Sequence, residues 1–335
     1  MVRVAVLDDY IGCAQEFGDW SEASQNAQVT FYREAIPTEG LVGELADFEI
    51  LAITQQRARF PREVLQQLPK LRLIVTNGRT SSVVDHDARR ELGILLSGTA
   101  DEGPPGASPS APAPSARARA GGIAAPAEMA WALIFGVTKR LGIEDRVIRG
   151  GGWQTGFPVP LRGLTLGLAG LGNLGSMMVA PAKAFGMDVI AWSENLTTER
   201  ASECGVRKVS KDELLRESDV LGIFLVLSDR TRGLFQRRDL ALMKRSAFIV
   251  NISRGPIIDE PALVEALGSG LIAGAGLDVF DVEPLPRDHP LRSMENALLM
   301  PHLGYVTESG FRASFARMAE DVAAYLNGAP IRVVE

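Results

Sequence analysis

A glycine-rich turn, Gly170-Leu171-Gly172-Asn173-Leu174-Gly175, restricts the fold of this chain more than any other feature. It directly follows an apolar run at 164–169 and opens a helical stretch that extends to Phe185. A G-x-G-x-x-G turn between a strand and a helix is typical of a β-α-β unit with parallel strands. The turn therefore predicts an open α/β sheet. Pro181 in the following helix predicts a kink or an early helix start.

The residues of this turn also suit a dinucleotide ligand. Gly170 permits the tight turn, Gly172 lets the backbone approach a pyrophosphate, and Gly175 allows the helix to pack closely on the strand. Asn173 and Leu174 begin the helix, whose N-terminal N–H groups and positive dipole end attract phosphate. We therefore expect this turn to bind a dinucleotide.

The end of the next predicted strand, at 189–192, leaves the cofactor preference open. An NAD site usually places an acid here, which accepts a hydrogen bond from the ribose 2′-hydroxyl and repels the 2′-phosphate of NADP. Ser193 occupies that position, so either Glu194 replaces the acid through a shifted backbone or Arg200 holds a phosphate. We predict NAD, and NADP is not excluded.

Apolar runs typical of buried parallel strands recur in both halves of the chain. The predicted strands are 2–7, 29–32, 50–53, 71–76 and 94–97 in the first half and 164–169, 189–192, 220–226, 247–252, 273–279 and 297–300 in the second. Helical stretches lie between them, for example at 61–68 and 84–92. Alternation of strands and helices favours two doubly wound α/β domains.

The predicted domains are 1–100 together with 305–335, and 126–304. The length of 335 residues supports two domains. Residues 101–125 are rich in Pro and Ala and predict an irregular crossover, either a solvated linker or an active-site lid. A final helix at 308–326 is expected to pack back on the first domain. The chain would then cross twice between the domains, which suits a hinged cleft.

A helix is expected to begin at Pro126, a favourable first-turn residue. Its middle, 129–137, is apolar nearly all round. Such a helix is buried on more than one side, either between domains or against a second subunit. We therefore expect this helix to form the interface of a homodimer.

Composition argues against several other classes of protein. The net charge is -6 and no basic stripe is present, so neither nucleic acid nor a membrane surface is an expected partner. Cys13 and Cys204 are far apart, which predicts no disulfide framework and no metal site. No apolar stretch reaches the roughly 18 residues of a membrane helix, and the N-terminus does not resemble a signal peptide. We therefore expect a cytoplasmic protein.

Three segments that end predicted strands, 250–255, 276–284 and 300–304, carry Arg254, Glu283 and His302. The carboxyl ends of parallel strands meet at one edge, where open α/β folds bind ligands, so these side chains are expected to converge. With the glycine turn, the order of these motifs resembles the D-isomer-specific 2-hydroxyacid dehydrogenase family, which includes phosphoglycerate dehydrogenase and glyoxylate/hydroxypyruvate reductase. The resemblance covers nearly all of the chain apart from 101–125.

The resemblance implies a flavodoxin-like substrate domain and a Rossmann NAD(P)-binding domain with a cleft between them. It also implies hydride transfer between a nicotinamide cofactor and a small 2-keto or 2-hydroxy acid. Arg254 offers a planar fork that matches the substrate carboxylate. His302 is expected to move a proton to or from the substrate oxygen, and Glu283 to hold the other ring nitrogen. Asp278 resembles the family residue that contacts the nicotinamide end of the cofactor.

In the first domain, Asn77, Gly78 and Arg79 align with the family loop whose backbone N–H groups bind the substrate carboxylate. Arg79 and Thr80 depart from the usual small residues, so the substrate carries extra acidic or polar groups or Arg79 points to solvent. His86 and His289 are interpreted as structural. The alternative function is a dinucleotide-sensing corepressor-like protein. Glu283 argues against the formate dehydrogenases, which pair the histidine with Gln.

Arg79→Ala tests the departure in the substrate loop. If Arg79 contacts an additional acidic group, the variant has a higher KM for keto acids that carry such a group and an unchanged KM for glyoxylate. Steady-state kinetics over a panel of 2-keto acids measure this difference. Equal kinetics of variant and wild type on every substrate would mean that Arg79 points to solvent.

Overall fold

The computed structural model describes residues 1–78, 80–99 and 116–334. The chain forms two compact units, one from Met1–Arg119 with Thr307–Glu335 and the other from Ala120–Val306. The boundaries thus fall six residues before the predicted 126 and two residues after the predicted 305. Arg79 and residues 101–115 lie outside the described residues.

The first unit contains a five-stranded sheet of order β2-β1-β3-β4-β5, in which every pairing is parallel. Its strands are β1 Val2–Leu7, β2 Ala27–Phe31, β3 Ile50–Ile53, β4 Leu73–Thr76 and β5 Leu95–Gly98. This 2-1-3-4-5 order is the flavodoxin-like arrangement, so the predicted fold class of this unit is confirmed.

Short helices connect these strands. They are α1 Ala14–Phe17, α2 Ser21–Asn26, α3 Leu41–Leu45, α4 Arg62–Leu65 and α5 His86–Glu91, with a 3₁₀ helix at Thr38–Gly40. Helix α5 begins two residues after the predicted 84, because Asp85 is its N-cap and the Asp85 side chain accepts a hydrogen bond from the N–H of Ala88.

The second unit contains a parallel sheet of seven strands in the order β12-β11-β10-β9-β6-β7-β8. The strands are β6 Thr165–Ala169, β7 Asp188–Trp192, β8 Arg207–Lys208, β9 Val220–Ile223, β10 Phe248–Asn251, β11 Gly274–Leu277 and β12 Ala297–Leu299. Counted from β6, the first six strands have the 3-2-1-4-5-6 order of a Rossmann domain. The sequence predicts six strands and misses β8, because its two residues are exposed and charged.

Eight α-helices in the described part of the chain precede or connect the strands of this sheet. They are α6 Ala116–Thr138, α7 Leu141–Arg149, α8 Asn173–Met177, α9 Val179–Ala184, α10 Thr198–Glu203, α11 Lys211–Glu217, α12 Arg237–Leu240 and α13 Glu260–Gly268, with 3₁₀ helices at Gly255–Ile257 and Pro290–Ser293. The break between α8 and α9 at Met178 confirms the kink expected from Pro181. Pro181 lies in the first turn of α9, where no backbone donor is needed.

Helix α6 corrects the prediction for residues 101–125. An irregular segment up to residue 125 and a helix start at Pro126 were expected, but the helix begins at Ala116 and contains Pro126. Residues 116–125 contain no proline and are rich in Ala and Arg, which have high helix propensity. One proline removes a single helical hydrogen bond, and the helix continues through it.

The apolar middle of α6 is covered within its own unit. Ala130, Leu133 and Ile134 are buried, and a Cβ atom at Gly276 of β11 would lie 3.0 Å from the Cβ of Leu133. A Cβ atom at Gly136 would lie 2.1 Å from a methyl carbon of Leu298 on β12. Packing on the sheet therefore explains why residues 129–137 are apolar nearly all round. No contact with a second subunit is needed to explain it.

The last helix, α14 Glu308–Leu326, packs in the first unit. Arg312 pairs with Glu16 of α1, and the side-chain amide of Asn327 donates a hydrogen bond to Glu22 of α2. Beyond the helix, Val333 forms an antiparallel bridge with Ser97. Among the described residues, no helix combines the length and the apolar character needed to cross a bilayer.

Leu51→Ala tests the core of the first unit. Leu51 lies in the central strand β3 and is fully buried, so its truncation should lower the free energy of unfolding by about 2–5 kcal/mol. Urea unfolding followed by circular dichroism measures the change. Leu92→Ala is the matched control: Leu92 is 42% exposed, and its truncation should cost less than about 1 kcal/mol.

Candidate active site

One edge of the seven-stranded sheet collects the predicted site residues of the second unit. Strands β6, β9, β10, β11 and β12 are adjacent and parallel. The glycine turn follows β6, Arg254 follows β10, Asp278 and Glu283 follow β11, and His302 follows β12. All of these positions therefore lie at the carboxyl edge of the sheet.

The glycine turn has the geometry that a pyrophosphate requires. Gly170 has a φ of +105°, and a Cβ atom there would lie 2.7 Å from the carbonyl oxygen of Phe224. A Cβ atom at Gly175 would lie 2.1 Å from the carbonyl oxygen of Gly170, so helix and turn pack without room for a side chain. At Gly172 a Cβ atom would meet no protein atom within 4 Å. The space beside Gly172 and the start of α8 at Asn173 fit a bound phosphate group.

The end of β7 borders a cavity of about 680 Å³. Ser193 and Glu194 line it, together with Arg207 and Lys208 from β8. Arg200 lies on α10 and pairs with Glu203, at 3.4 Å between Nη1 and Oε2. The basic residues Arg207 and Lys208 therefore line the same cavity as Ser193 and Glu194, the residues that the sequence analysis expects at the cofactor ribose.

Glu283 and His302 form a hydrogen-bonded pair. Glu283 Oε2 lies 2.6 Å from His302 Nδ1, and both side chains are largely buried. The other carboxylate oxygen of Glu283, Oε1, accepts a hydrogen bond of 2.9 Å from the N–H of Phe280. The carboxylate thereby fixes the orientation of the imidazole, and Nδ1–H leaves Nε2 as the nitrogen for other partners.

Asp278 holds the backbone that follows His302. Its Oδ1 accepts from the N–H of Leu303 at 2.7 Å and its Oδ2 from the N–H of Gly304 at 2.8 Å. Burial raises the pKa of the Asp278 carboxyl, while these two bonds and the nearby imidazole act in the opposite direction. His302 itself has a φ of +56°, a left-handed conformation that few side chains adopt. The bonds from Asp278 to the next two residues stabilise that conformation.

Arg254 lies in a tight turn after β10. The buried Asn251 accepts from the N–H of Ser253 at 3.0 Å, and its amide donates to the carbonyl of Arg254 at 2.9 Å. A Cβ atom at Gly255 would lie 2.0 Å from the carbonyl carbon of Phe280. Only glycine permits this approach, so the Arg254 turn packs directly on the loop that carries Glu283.

The predicted substrate loop belongs to the other unit and follows β4. Gly78 has a φ of +103°, and its N–H donates to Thr99 Oγ1 at 3.2 Å. The Thr99 hydroxyl donates to the side-chain oxygen of Asn77 at 3.3 Å, and the Gln56 amide donates to the Asn77 carbonyl. These bonds fix the two residues before Arg79, which itself lies outside the described residues.

Sequence reasoning missed three bracing contacts of the site. Asn251 had a local signal, because Asn two residues before its N–H partner is the pattern of an Asx-turn. Gly255 and the bonds of Asp278 had none, since both depend on contact with a neighbouring strand end. Among the described residues, no group of three or more His, Cys, Asp and Glu side chains is placed to hold a metal ion.

A Rossmann sheet with a phosphate-binding turn and a carboxylate–histidine pair at the same edge defines a nicotinamide-dependent dehydrogenase. Residues 131–304 match the sequence model described as the NAD binding domain of D-isomer specific 2-hydroxyacid dehydrogenases. The chain is 36% identical to glyoxylate reductase of Aeropyrum pernix over 301 residues, which are 87% of this chain and 84% of that protein. The chain belongs to the D-isomer specific 2-hydroxyacid dehydrogenase family.

Two further comparisons agree with this assignment. The chain is 31% identical to D-3-phosphoglycerate dehydrogenase of Methanocaldococcus jannaschii over 335 residues, which are 98% of this chain and 58% of that protein. It resembles the crystal structure of phosphoglycerate oxidoreductase from Vibrio cholerae with a TM-score of 0.83 and 29% identity, covering 98% of this chain and 100% of the other.

The chain is therefore an NAD-binding oxidoreductase that transfers hydride between the cofactor and a 2-hydroxy or 2-keto acid. This confirms the predicted class of enzyme and the predicted NAD. The corepressor-like alternative is not favoured, because the relatives named here are all oxidoreductases.

Gly172→Ala and Gly175→Ala separate cofactor contact from protein packing. Gly172→Ala should leave the free energy of unfolding within about 1 kcal/mol of wild type and weaken NADH binding by about tenfold or more, because its methyl group meets only the ligand. Gly175→Ala should lower both the free energy of unfolding and the affinity for NADH, because its methyl group would clash with the carbonyl oxygen of Gly170. Urea unfolding and NADH fluorescence titration measure them. Wild-type affinity in Gly172→Ala would show that this turn does not approach the cofactor.

Proposed function

We propose that Arg254, Glu283 and His302 carry out the reduction of a small 2-keto acid to its D-2-hydroxy acid, and the reverse reaction. The observation that carries this proposal is the 2.6 Å contact between Glu283 Oε2 and His302 Nδ1, at the sheet edge where the glycine turn lies. A histidine oriented by a buried carboxylate is suited to proton transfer at its free nitrogen.

His302 donates a proton from Nε2 to the substrate oxygen during reduction and takes it back during oxidation. Glu283 holds the ring through Nδ1, and its negative charge balances the positive charge of the imidazolium that donates. The nicotinamide cofactor supplies or accepts the hydride when bound. Loss of the proton to the substrate leaves His302 neutral and still held through Nδ1 by the carboxylate.

Arg254 binds the substrate carboxylate and orients the carbonyl group. The side chain of Arg254 is exposed, and its guanidinium has five N–H donors. Its Nη1 donates a hydrogen bond of 2.6 Å to the carbonyl of Ser253. A planar fork with further donors matches a carboxylate in a bidentate arrangement. The turn that Asn251 and Gly255 brace holds Arg254 next to the loop that carries Glu283.

The cofactor is proposed to lie along the carboxyl edge of the sheet. Gly170, Gly172, Gly175 and the N–H groups of Asn173 and Leu174 hold its pyrophosphate. Ser193 and Glu194 contact its adenosine ribose, and the basic residues of the adjoining cavity leave NADP as a second cofactor. Asp278 is proposed at the nicotinamide end. Because both of its oxygens already hold the loop after His302, its contribution there is chiefly to fix that loop.

Glyoxylate is the proposed substrate, with the name of the Aeropyrum pernix relative as support. The loop that begins at Asn77 and Gly78 is proposed to contact its carboxylate.

A homodimer and a cytoplasmic location complete the proposal. Helix α7 and the segment after it carry exposed apolar side chains: Trp153 is 74% exposed and Phe157 is 94% exposed. Exposed aromatic residues of this kind are enriched in protein interfaces, so this surface replaces the apolar middle of α6 as the proposed dimer contact. Cys13 and Cys204 are free, which fits a reducing compartment.

His302→Ala and Glu283→Gln test the proton relay. Removal of the proton donor should lower kcat for glyoxylate reduction by about 10²–10⁴, whereas Glu283→Gln should lower it less and most strongly at high pH. NADH oxidation followed at 340 nm measures both. The matched control is Glu265→Gln, which removes an exposed carboxylate far along α13. Retention of most of the turnover by His302→Ala would remove this histidine from the mechanism.

A further inference from the structure

A second carboxylate–imidazole pair lies behind the loop of Glu283. Glu260 Oε1 is 3.0 Å from His289 Nε2, and the two side chains are 15% and 17% exposed. Glu260 lies at the start of α13, and His289 precedes the 3₁₀ helix Pro290–Ser293. Neither Glu260 nor His289 takes part in the proposed proton transfer or substrate binding. The sequence analysis interpreted His289 as structural.

Glu260 is bonded to the loop that positions Glu283. Its second oxygen, Oε2, accepts a hydrogen bond of 3.1 Å from the N–H of Asp281. The preceding N–H, that of Phe280, is the one that donates to Glu283 Oε1. Two successive backbone N–H groups are therefore held by two carboxylates, one of which is the partner of His302.

His289 anchors the other end of the same segment. Its Nδ1 accepts from the N–H of Leu291 at 3.3 Å, so the proton of the neutral ring lies on Nε2 and is donated to Glu260. Glu260 therefore connects both ends of the segment from Asp281 to His289, which contains Glu283. Arg292 braces the middle, because its guanidinium donates to the carbonyls of Leu285 and Pro286.

The charges around this pair explain why Glu260 needs both donors. Burial and then the charge of Glu260 raise the pKa of Asp281 to about 6; Arg232, Asp259 and His289 also face this carboxyl. Above that pH a second negative charge stands beside Glu260. The donors from Asp281 N–H and His289 Nε2 keep the Glu260 carboxylate in place against that repulsion.

We infer that Glu260 and His289 are positioning residues of the reaction: they hold the segment 281–289 so that the Glu283 carboxylate stays in contact with His302 Nδ1. This inference rests on the roles proposed for Glu283 and His302. Glu260 and His289 touch neither substrate nor cofactor in this scheme and act only through Glu283.

The inference is tested by a double-mutant cycle between Glu260→Ala and Glu283→Gln. Glyoxylate reduction with NADH is measured between about pH 5 and 8. Glu260→Ala should lower kcat by up to about 100-fold, because a misplacement of about 1 Å at a reacting group has an effect of that size. Because a loosely held carboxylate favours the imidazolium less, the pH at which activity falls to half should move down, toward that of Glu283→Gln. In the Glu283→Gln background, Glu260→Ala should change kcat by less than about twofold.

Controls separate positioning from loss of structure. Glu265→Gln, on the same helix, should match wild type in kcat and pH profile. NADH affinity should be unchanged in every variant, because the glycine turn lies on a different strand. If Glu260→Ala does not fold, His289→Gln replaces it in the cycle, and Glu260→Gln, which keeps one acceptor, should show an intermediate loss of kcat.

Two failures are distinguishable. If Glu283→Gln alone leaves kcat and the pH profile at wild-type values, the proposed role of Glu283 is wrong. If Glu283→Gln slows the reaction, but the effect of Glu260→Ala is absent or multiplies fully with it, the proposed mechanism stands and the positioning role of Glu260 and His289 is wrong.

Discussion

The hydrogen bond between Glu283 and His302 joins two loops that are separate in sequence, and the rest of the site depends on it. It exists because β11 and β12 run parallel, with Ala275 paired to Ala297, so that the loops after both strands leave the same edge. The neighbouring β10 adds the turn of Arg254 in the same way. The sheet therefore defines where the three side chains emerge, and the loops determine where they point.

Carboxylates that accept backbone N–H groups give these loops their shape. Asp278 binds the two N–H groups after His302, Glu283 binds that of Phe280, and Glu260 binds that of Asp281. Hydrogen bonds to charged acceptors contribute about 1.5–3 kcal/mol each, more than neutral ones, and they are directional. Such bonds hold irregular backbone, including the left-handed His302, in one conformation.

The predictions that succeeded rest on features with a local signal. Apolar runs located the strands of both sheets, apart from β8, and the helix start at Glu308 follows Thr307, whose side chain accepts from the N–H of Gly310. The predicted start of α6 was wrong because residues 116–125 were treated like the proline-rich residues 101–115. Residues 116–125 favour a helix and contain no proline. The apolar girth of α6 was assigned to a subunit contact because burial against β11 and β12 cannot be recognised from one helix.

The sequence by itself determined the two α/β sheets, the glycine turn after β6, and the placement of Arg254, Glu283 and His302 after the ends of β10, β11 and β12. These follow from residue types at strand ends, and the strands follow from apolar runs. Only the tertiary structure decided that Glu283 contacts His302, that Gly255 packs on the backbone of Phe280, and that Glu260 bonds to both His289 and the N–H of Asp281. The physical reason is that such contacts join residues through the parallel pairing of strands, and their distances depend on the packing of whole loops rather than on any local pattern.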